Sequence, residues 1–187
     1  MLHSNQRNRR SIRLPRYDYS LAGAYFVTIC TADKACLFGN IRNDEMVLNA
    51  LGKVVEEEWF TLEKRYPRFV PDMFQIMPNH IHAIVIINDV GAGLAPARPH
   101  NVRTTDNINI RAPARDAPTT LGQIVGAYKS LVYKQCLAIA KSKNEILGKL
   151  WQRNYHEHIV RNAEDYQRIA QYIHDNPVNW AQDDLFQ

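Results

Sequence analysis

The chain has 187 residues, 45% of them hydrophobic and 22% charged, which is typical of one ordinary globular domain and excludes a disordered or fibrous protein. Its longest aliphatic run, Ala83 to Ile87, is far too short to cross a bilayer, and the polar N-terminus has no apolar stretch that could act as a signal peptide. Three widely spaced cysteines predict neither a disulfide framework nor a metal knuckle, so we expect a cytoplasmic protein with reduced thiols and no membrane partner.

The formal net charge of +4 is modest, but its distribution is uneven. Residues 1–16 contain five arginines, among them Arg10 and Arg13, and no acidic residue. A basic arm of this kind is a candidate contact for nucleic-acid phosphates. A solvated terminus without a partner has the same composition, so charge alone leaves both interpretations open.

The first half of the chain predicts strands around one helix. Segments rich in β-branched and aromatic residues predict five strands: 25–31, 36–41, 45–48, 69–77 and 81–87. Turns are predicted at residues 42–44, inside a hairpin, and at Pro78-Asn79. Asn49 is a suitable N-cap for a helix that runs to about Arg65, because apolar residues recur there at helical spacing.

The second half predicts an insertion and two further helices. Residues 88–118 contain four of the nine prolines and no periodicity, which predicts a flexible insertion and not a second domain. Thr120 and Gln123 predict a capping box at the start of the next helix. A last helix is predicted from about Ala163 to Asp175. This order of elements predicts an α+β fold with one antiparallel sheet and helices packed on one face.

His80 and His82 lie on the last strand of the first half. Because side chains alternate along a strand, both imidazoles point to one face while Ile81 points to the other. Two imidazoles are too few for a structural zinc site, but they fit an open site completed by a third residue, water and substrate oxygens. Two ordinary histidines on a half-exposed face would give the same pattern.

Tyr172 lies beside the apolar stripe of the last helix, and Asn176 follows it at a spacing that places both on one helix face. Tyr172 can therefore supply a phenol nucleophile, and Asn176 an amide oxygen as a third metal ligand. Pro177 disfavours helical geometry at Asn176, so we expect the helix to end there. An ordinary tyrosine at the edge of the core is the alternative interpretation.

Further candidates lie before the last helix. Trp151 can stack on a base and Arg153 can pair with a phosphate, although we favour for Trp151 an anchoring role against the sheet. For the histidines at 156 and 158 we favour solvent-facing or supporting roles over a second metal cluster. Lys129 lies off the apolar stripe of the helix that starts after Thr120, so it can also face a phosphate.

These elements, in this order, resemble the IS200-like transposases, and within them the REP-associated tyrosine transposases. The resemblance covers nearly the whole chain, except for the 88–118 insertion, and is carried by residues 10–14, 24–30, 77–82, 150–155 and 172–178. It implies a ferredoxin-like antiparallel sheet with the histidines on a central strand. The site residues that it implies are the metal ligands His80, His82 and Asn176 and the nucleophile Tyr172.

The resemblance also implies an activity, namely nicking and strand transfer on single-stranded or hairpin DNA by a monomer or homodimer. Mg²⁺ or Mn²⁺ suits the implied ligands and neutralises the charge that makes a phosphodiester resist attack. Attack by Tyr172 would leave a 5′-phosphotyrosine and a free 3′-hydroxyl, and the retained bond energy lets another 3′-hydroxyl reverse the step. The expected phosphate contacts are Arg10, Arg13, Lys129 and Arg153.

Two other functions fit part of this pattern. A domesticated, non-catalytic DNA-binding regulator would keep the basic surface of the same scaffold without needing the metal site. A metal-dependent hydrolase that activates water would need more carboxylates near the histidines than the sequence places there. Water attack leaves no covalent protein–DNA adduct, so the presence of such an adduct separates it from the tyrosine mechanism.

Overall fold

The computed structural model describes residues 17–88 and 120–186. The predicted basic arm, with Arg10 and Arg13, and the predicted insertion after residue 88 lie outside the described residues. In chain order the elements are β1 (Gly23–Cys30), β2 (Gly39–Arg42), β3 (Glu45–Leu48), α1 (Ala50–Arg65), β4 (Phe69–Ile76), β5 (His80–Ile87), α2 (Leu121–Ser142), β6 (His156–Val160) and α3 (Ala163–Asp175).

Polar side chains fix the start of each helix. The side chain of Asn49 accepts hydrogen bonds from the first free N–H groups of α1. Thr120 and Gln123 form the predicted capping box at α2, in which each side chain bonds the backbone of the other. Asn162 caps α3 in the same way as Asn49 caps α1. The predicted bounds of the first and last helices are confirmed.

Four strands form one antiparallel sheet in the order β4-β5-β1-β6, so β5 and β1 are central. Thr28 of β1 is paired with His82 of β5, and Cys30 with His80. β2 and β3 form a separate hairpin. Apart from this hairpin and α3, the chain runs strand, helix, strand, strand, helix, strand, which with this strand order is the ferredoxin-like arrangement. The predicted α+β class with an antiparallel sheet is confirmed.

The two faces of the sheet bury different partners, because successive side chains of β5 point in opposite directions. Ile81, Val85 and their neighbours on one face pack with residues of α1 and α2 in the main core. On the other face Ile84 packs against Ile169 and Ile173 of α3. α1 and α2 thus share the predicted face, whereas α3 covers the opposite one, where the imidazoles lie. Within the described ranges every helix is too short or too polar to span a bilayer.

Two helical glycines have opposite surroundings. A Cβ atom on Gly52 in α1 would lie 2.2 Å from the carbonyl oxygen of Phe38, a backbone atom that cannot move aside easily. A Cβ atom on Gly126 in α2 would meet nothing within 4 Å. Glycine at position 52 therefore allows the close approach of α1 to the chain before β2, while Gly126 has no such role.

We expect Gly126→Ala to raise the free energy of unfolding by about 0.5–1 kcal/mol, because alanine loses less backbone entropy than glycine in a helix. We expect Gly52→Ala to lower it by about 1–3 kcal/mol, the usual effect of overpacking. Urea unfolding followed by circular dichroism measures both changes. A stabilising Gly52→Ala would contradict the close contact between Gly52 and Phe38.

Candidate active site

His80 and His82 meet at the start of β5, on the face of the sheet that α3 covers. Their Nε2 atoms are 3.0 Å apart. The two residues are 0% and 2% exposed, and this burial lowers the pKa of both imidazoles below the usual value. Both rings are therefore neutral near pH 7, the form in which an imidazole nitrogen can bind a metal ion.

The outer nitrogens of the two rings have partners of their own. His80 Nδ1 lies 2.7 Å from Asn79 Oδ1, and His82 Nδ1 lies 2.9 Å from Thr28 Oγ1. The second contact follows from strand pairing, since Thr28 and His82 are opposite each other in the sheet. These hydrogen bonds hold the rings with both Nε2 atoms pointing into the same space.

α3 brings Tyr172 to this space. Its hydroxyl lies 3.2 Å from His82 Nε2, and its ring packs edge-on against Phe26 of β1. The residue is 46% exposed, so a substrate can reach the hydroxyl. Partial burial, together with the nearby carboxylates of Asp183 and Asp184, raises the pKa of Tyr172 to about 12. The phenol is therefore protonated at neutral pH.

Asn176 follows α3 directly, so the helix ends where Pro177 predicts. Its Nδ2 donates a hydrogen bond of 2.7 Å to Asp183 Oδ2, and its side chain lies against His80. The residue is 2% exposed, and within the described residues its buried Oδ1 atom makes no hydrogen bond of normal geometry, although the side chain interacts with His80. A buried oxygen without a partner is rare, which makes this atom a candidate ligand for a cation.

Asp183 belongs to the site although sequence reasoning did not single it out. One ligand atom from each of His80, His82 and Asp183 lies within 4.8 Å of the others, a cluster compatible with a metal ion. The residue lies in the segment after α3, where no periodicity predicts its position. The Asn-Pro pair that ends the helix was the one local signal that the chain turns back here.

The segment after α3 forms one wall of the site. The Trp180 ring lies 5.9 Å from the His80 ring, measured between centroids. The Leu185 carbonyl accepts a hydrogen bond of 2.7 Å from Asn79 Nδ2, and the Asp184 carbonyl accepts one of 3.0 Å from Lys34 Nζ. These contacts hold residues 176–186 against the start of β5.

Lys129 and Arg153, both predicted to contact phosphates, lie on the α2 side of the molecule. The Lys129 ammonium donates to the carbonyls of Gln152 and Asn154 at 2.8 and 3.1 Å, and burial lowers its pKa to about 8. Arg153, the residue between Gln152 and Asn154 in the sequence, is exposed. None of the contacts described for either residue reaches the imidazole pair, so their binding to phosphate stays a prediction.

The segment from 150 to 158 has the supporting roles that we favoured. Trp151 packs in the main core and its Nε1 donates to the Lys129 carbonyl at 3.1 Å, which anchors the segment as expected. His158 Nε2 lies 2.8 Å from Asp165 Oδ2 at the start of α3. In the described part of the chain, His156 and His158 belong to no metal-compatible cluster.

Comparison with known proteins finds similarity both in sequence and in structure. An uncharacterized protein of Haemophilus influenzae is 40% identical over 179 residues, which are 96% of this chain and 93% of that protein. No family model matches the chain. A REP-associated tyrosine transposase, solved bound to a REP hairpin, aligns with 90% of this chain and 73% of its own length, with a TM-score of 0.55 and 16% identity. The expected IS200-like transposase fold is thereby confirmed.

We expect Asp183→Asn to lower the pKa of Tyr172 from about 12, because a negative charge that disfavours the phenolate is removed. Burial, the larger cause, remains, so the pKa should stay above the usual value of about 10. NMR titration of tyrosine labelled with ¹³C at Cζ measures the change, with the signal assigned by its loss in Tyr172→Phe. Asp44→Asn, on the exposed hairpin turn, is the control. An unchanged midpoint in Asp183→Asn would show that this carboxylate does not act on the phenol.

Proposed function

We propose that this chain, which belongs to one family with the Haemophilus influenzae protein and has the IS200/Y1 transposase-like fold, nicks and rejoins single-stranded DNA with Tyr172 as nucleophile. The observation that supports this most is the 3.2 Å distance from the Tyr172 hydroxyl to His82 Nε2, which itself lies 3.0 Å from His80 Nε2. A nucleophile and two metal-binding atoms thus lie within reach of a single phosphate group.

The residues present fit a divalent cation. Two neutral imidazoles, the unpartnered Asn176 oxygen and the Asp183 carboxylate form a mixed nitrogen and oxygen set, which suits Mg²⁺ or Mn²⁺. Bound there, the cation would neutralise charge on the scissile phosphate and orient it for in-line displacement. We propose His80, His82 and Asn176 as its ligands, with Asp183 as an additional carboxylate ligand or neighbour.

In the chemical step the Tyr172 oxygen attacks phosphorus. The bond between this oxygen and phosphorus forms, and the bond from phosphorus to the 3′ oxygen breaks. The proton that the phenol loses ends on the departing 3′ oxygen, which leaves a 5′-phosphotyrosine and a 3′-hydroxyl. Because the phenol has a pKa of about 12, its proton must pass to a base during attack. We assign this role to Asp183, whose carboxylate lies close enough to the phenol to raise its pKa. Attack by another 3′-hydroxyl on the phosphotyrosine reverses the step and joins strands.

One chain supplies the complete proposed site. Tyr172 reaches the imidazole pair within the same molecule, so we infer that it acts in cis and that a monomer suffices, although a homodimer is compatible with this arrangement. The structural neighbour was solved with a REP hairpin, and we propose single-stranded or hairpin DNA as the substrate here. Arg10, Arg13, Lys129 and Arg153 are the proposed phosphate contacts, and Lys129 also holds the segment that carries Arg153.

Incubation of labelled hairpin DNA with the protein and Mn²⁺ should give an adduct that survives SDS denaturation. Tyr172→Phe removes the nucleophilic oxygen and should abolish the adduct, while His80→Ala and His82→Ala should reduce it about a hundredfold or more, because charge neutralisation is lost. A denaturing gel measures the adduct.

The matched control is Tyr166→Phe, six residues earlier on the same helix, whose hydroxyl bonds Asp72 at 2.6 Å and not the imidazoles. It should keep the adduct. If the adduct persists in Tyr172→Phe, the nucleophile is another residue. If DNA binds but no adduct forms under any condition, a non-catalytic DNA-binding role is the better account, and cleavage without an adduct would indicate activated water.

Asn176→Ala should weaken Mn²⁺ binding about tenfold or more, because the orphaned buried oxygen is removed. Isothermal titration calorimetry on the DNA-free protein measures this change. Asn179→Ala, a neighbouring exposed asparagine, should leave the affinity unchanged. Equal affinities of Asn176→Ala and wild type would exclude Asn176 as a ligand and leave Asp183 as the third one.

A further inference from the structure

Asn79 lies between Pro78 and His80. It is 1% exposed, and both the nitrogen and the oxygen of its side-chain amide are hydrogen-bonded. Its Nδ2 donates to the backbone carbonyls of Lys34 and Leu185 at 3.0 and 2.7 Å. A carbonyl can only accept, so these two partners fix which end of the amide is nitrogen. The oxygen of the amide therefore faces His80.

The orientation of Asn79 decides the protonation pattern of His80. The amide oxygen can only accept a hydrogen bond, so His80 Nδ1, 2.7 Å away, must carry the ring proton. A neutral imidazole has one N–H, and His80 Nε2 is therefore left with a bare lone pair. The tautomer that a metal ligand needs is present in His80 before any ion binds.

His82 is held by a partner with a different property. Thr28 Oγ1, 2.9 Å from His82 Nδ1, belongs to a hydroxyl that can either donate or accept. His82 Nε2 faces the bare Nε2 of His80 at 3.0 Å, and two lone pairs at this distance repel. Without an ion, His82 should therefore carry its proton on Nε2 and share it between His80 Nε2 and the Tyr172 oxygen, 3.2 Å away, while Thr28 donates to Nδ1.

An ion between the rings requires the other tautomer of His82. Its Nε2 must then be bare, so the ring proton has to lie on Nδ1, and the Thr28 hydroxyl must turn to accept it. The Asn79 amide cannot turn in this way, because two backbone carbonyls already hold its nitrogen. Asn79 can therefore only accept a hydrogen bond from His80, whereas Thr28 can either donate a hydrogen bond to His82 or accept one from it.

The geometry points to Asn79 as a positioning residue that keeps His80 as the Nδ1–H tautomer, and to Thr28 as a partner that lets His82 change tautomer when an ion binds. This inference rests on the proposed metal site but not on DNA cleavage. It also ties the first metal ligand to the segment after α3, since Leu185 is one of the two carbonyls that orient Asn79.

Long-range ¹H–¹⁵N NMR on the ¹⁵N-labelled full chain reads each tautomer directly, first in EDTA and then with Zn²⁺ as a diamagnetic probe. We expect His80 to be the Nδ1–H tautomer in both samples and His82 to change from Nε2–H to Nδ1–H. His80→Ala and His82→Ala assign the signals. A metal-free His80 with its proton on Nε2 would overturn the inference without any variant.

Substitutions separate positioning from a purely structural role. Asn79→Asp keeps an oxygen that accepts from His80 Nδ1, but it adds a negative charge and replaces both donated bonds by repulsion from two carbonyl oxygens. It should therefore lower the free energy of unfolding, while His80 keeps its Nδ1–H tautomer and the Mn²⁺ affinity does not fall. Asn79→Leu removes the acceptor and should weaken Mn²⁺ binding about tenfold to a hundredfold. Equal losses in both variants, with unchanged circular dichroism, would show that Asn79 only supports the turn.

Thr28→Val is the corresponding test for His82. It should lower the Mn²⁺ affinity about tenfold while His80 keeps its tautomer. Thr61→Val, which removes a hydroxyl bonded to the Glu58 carbonyl in α1, is the matched control and should change neither quantity. Unchanged Mn²⁺ binding in Thr28→Val would overturn the role of Thr28. If NMR shows the expected tautomers but the protein forms no DNA adduct, this inference holds and only the proposed function is rejected.

Discussion

Two imidazole nitrogens 3.0 Å apart in a buried pocket are stable only if a proton or a cation lies between them. The residues around His80 and His82 hold the two rings in this arrangement. The outer nitrogen of each ring is already hydrogen-bonded, so neither ring can turn its lone pair away without losing a partner. Burial removes the alternative of charging the rings, because it lowers the pKa of both. The oxygen atoms of Asn176 and Asp183 beside the pair favour a cation.

The fold meets this constraint by using the two faces of one strand for different purposes. The residues of β5 that alternate with the histidines are buried under α1 and α2, and this burial fixes the register. A slip of one residue would exchange the two sets, so the stability of the core and the position of the imidazoles depend on the same alternation. α3 needs only a narrow apolar contact, through Ile169 and Ile173, to bring Tyr172 over the pair.

Local rules predicted much of this arrangement. Cap residues located the starts of α1 and α2, Pro177 located the end of α3, and strand alternation placed His80 and His82 on one face. The sequence did not reveal that α3 lies on the opposite face from α1 and α2, because an apolar stripe does not say which side of a sheet it will cover. Asp183 was missed for a similar reason. The bond between Asn79 and Leu185 joins residues 106 positions apart, and contacts at such separations leave no local pattern.

The central claim is that Tyr172 and the imidazole pair act together on one phosphate. Tandem mass spectrometry of the protein after incubation with hairpin DNA, Mn²⁺ and nuclease digestion would test it most directly. The account predicts a nucleotide attached through its 5′-phosphate to the peptide that contains Tyr172, with the modification on that tyrosine. A modified Tyr155, or cleaved DNA with free 5′-phosphates and no modified peptide, would contradict it.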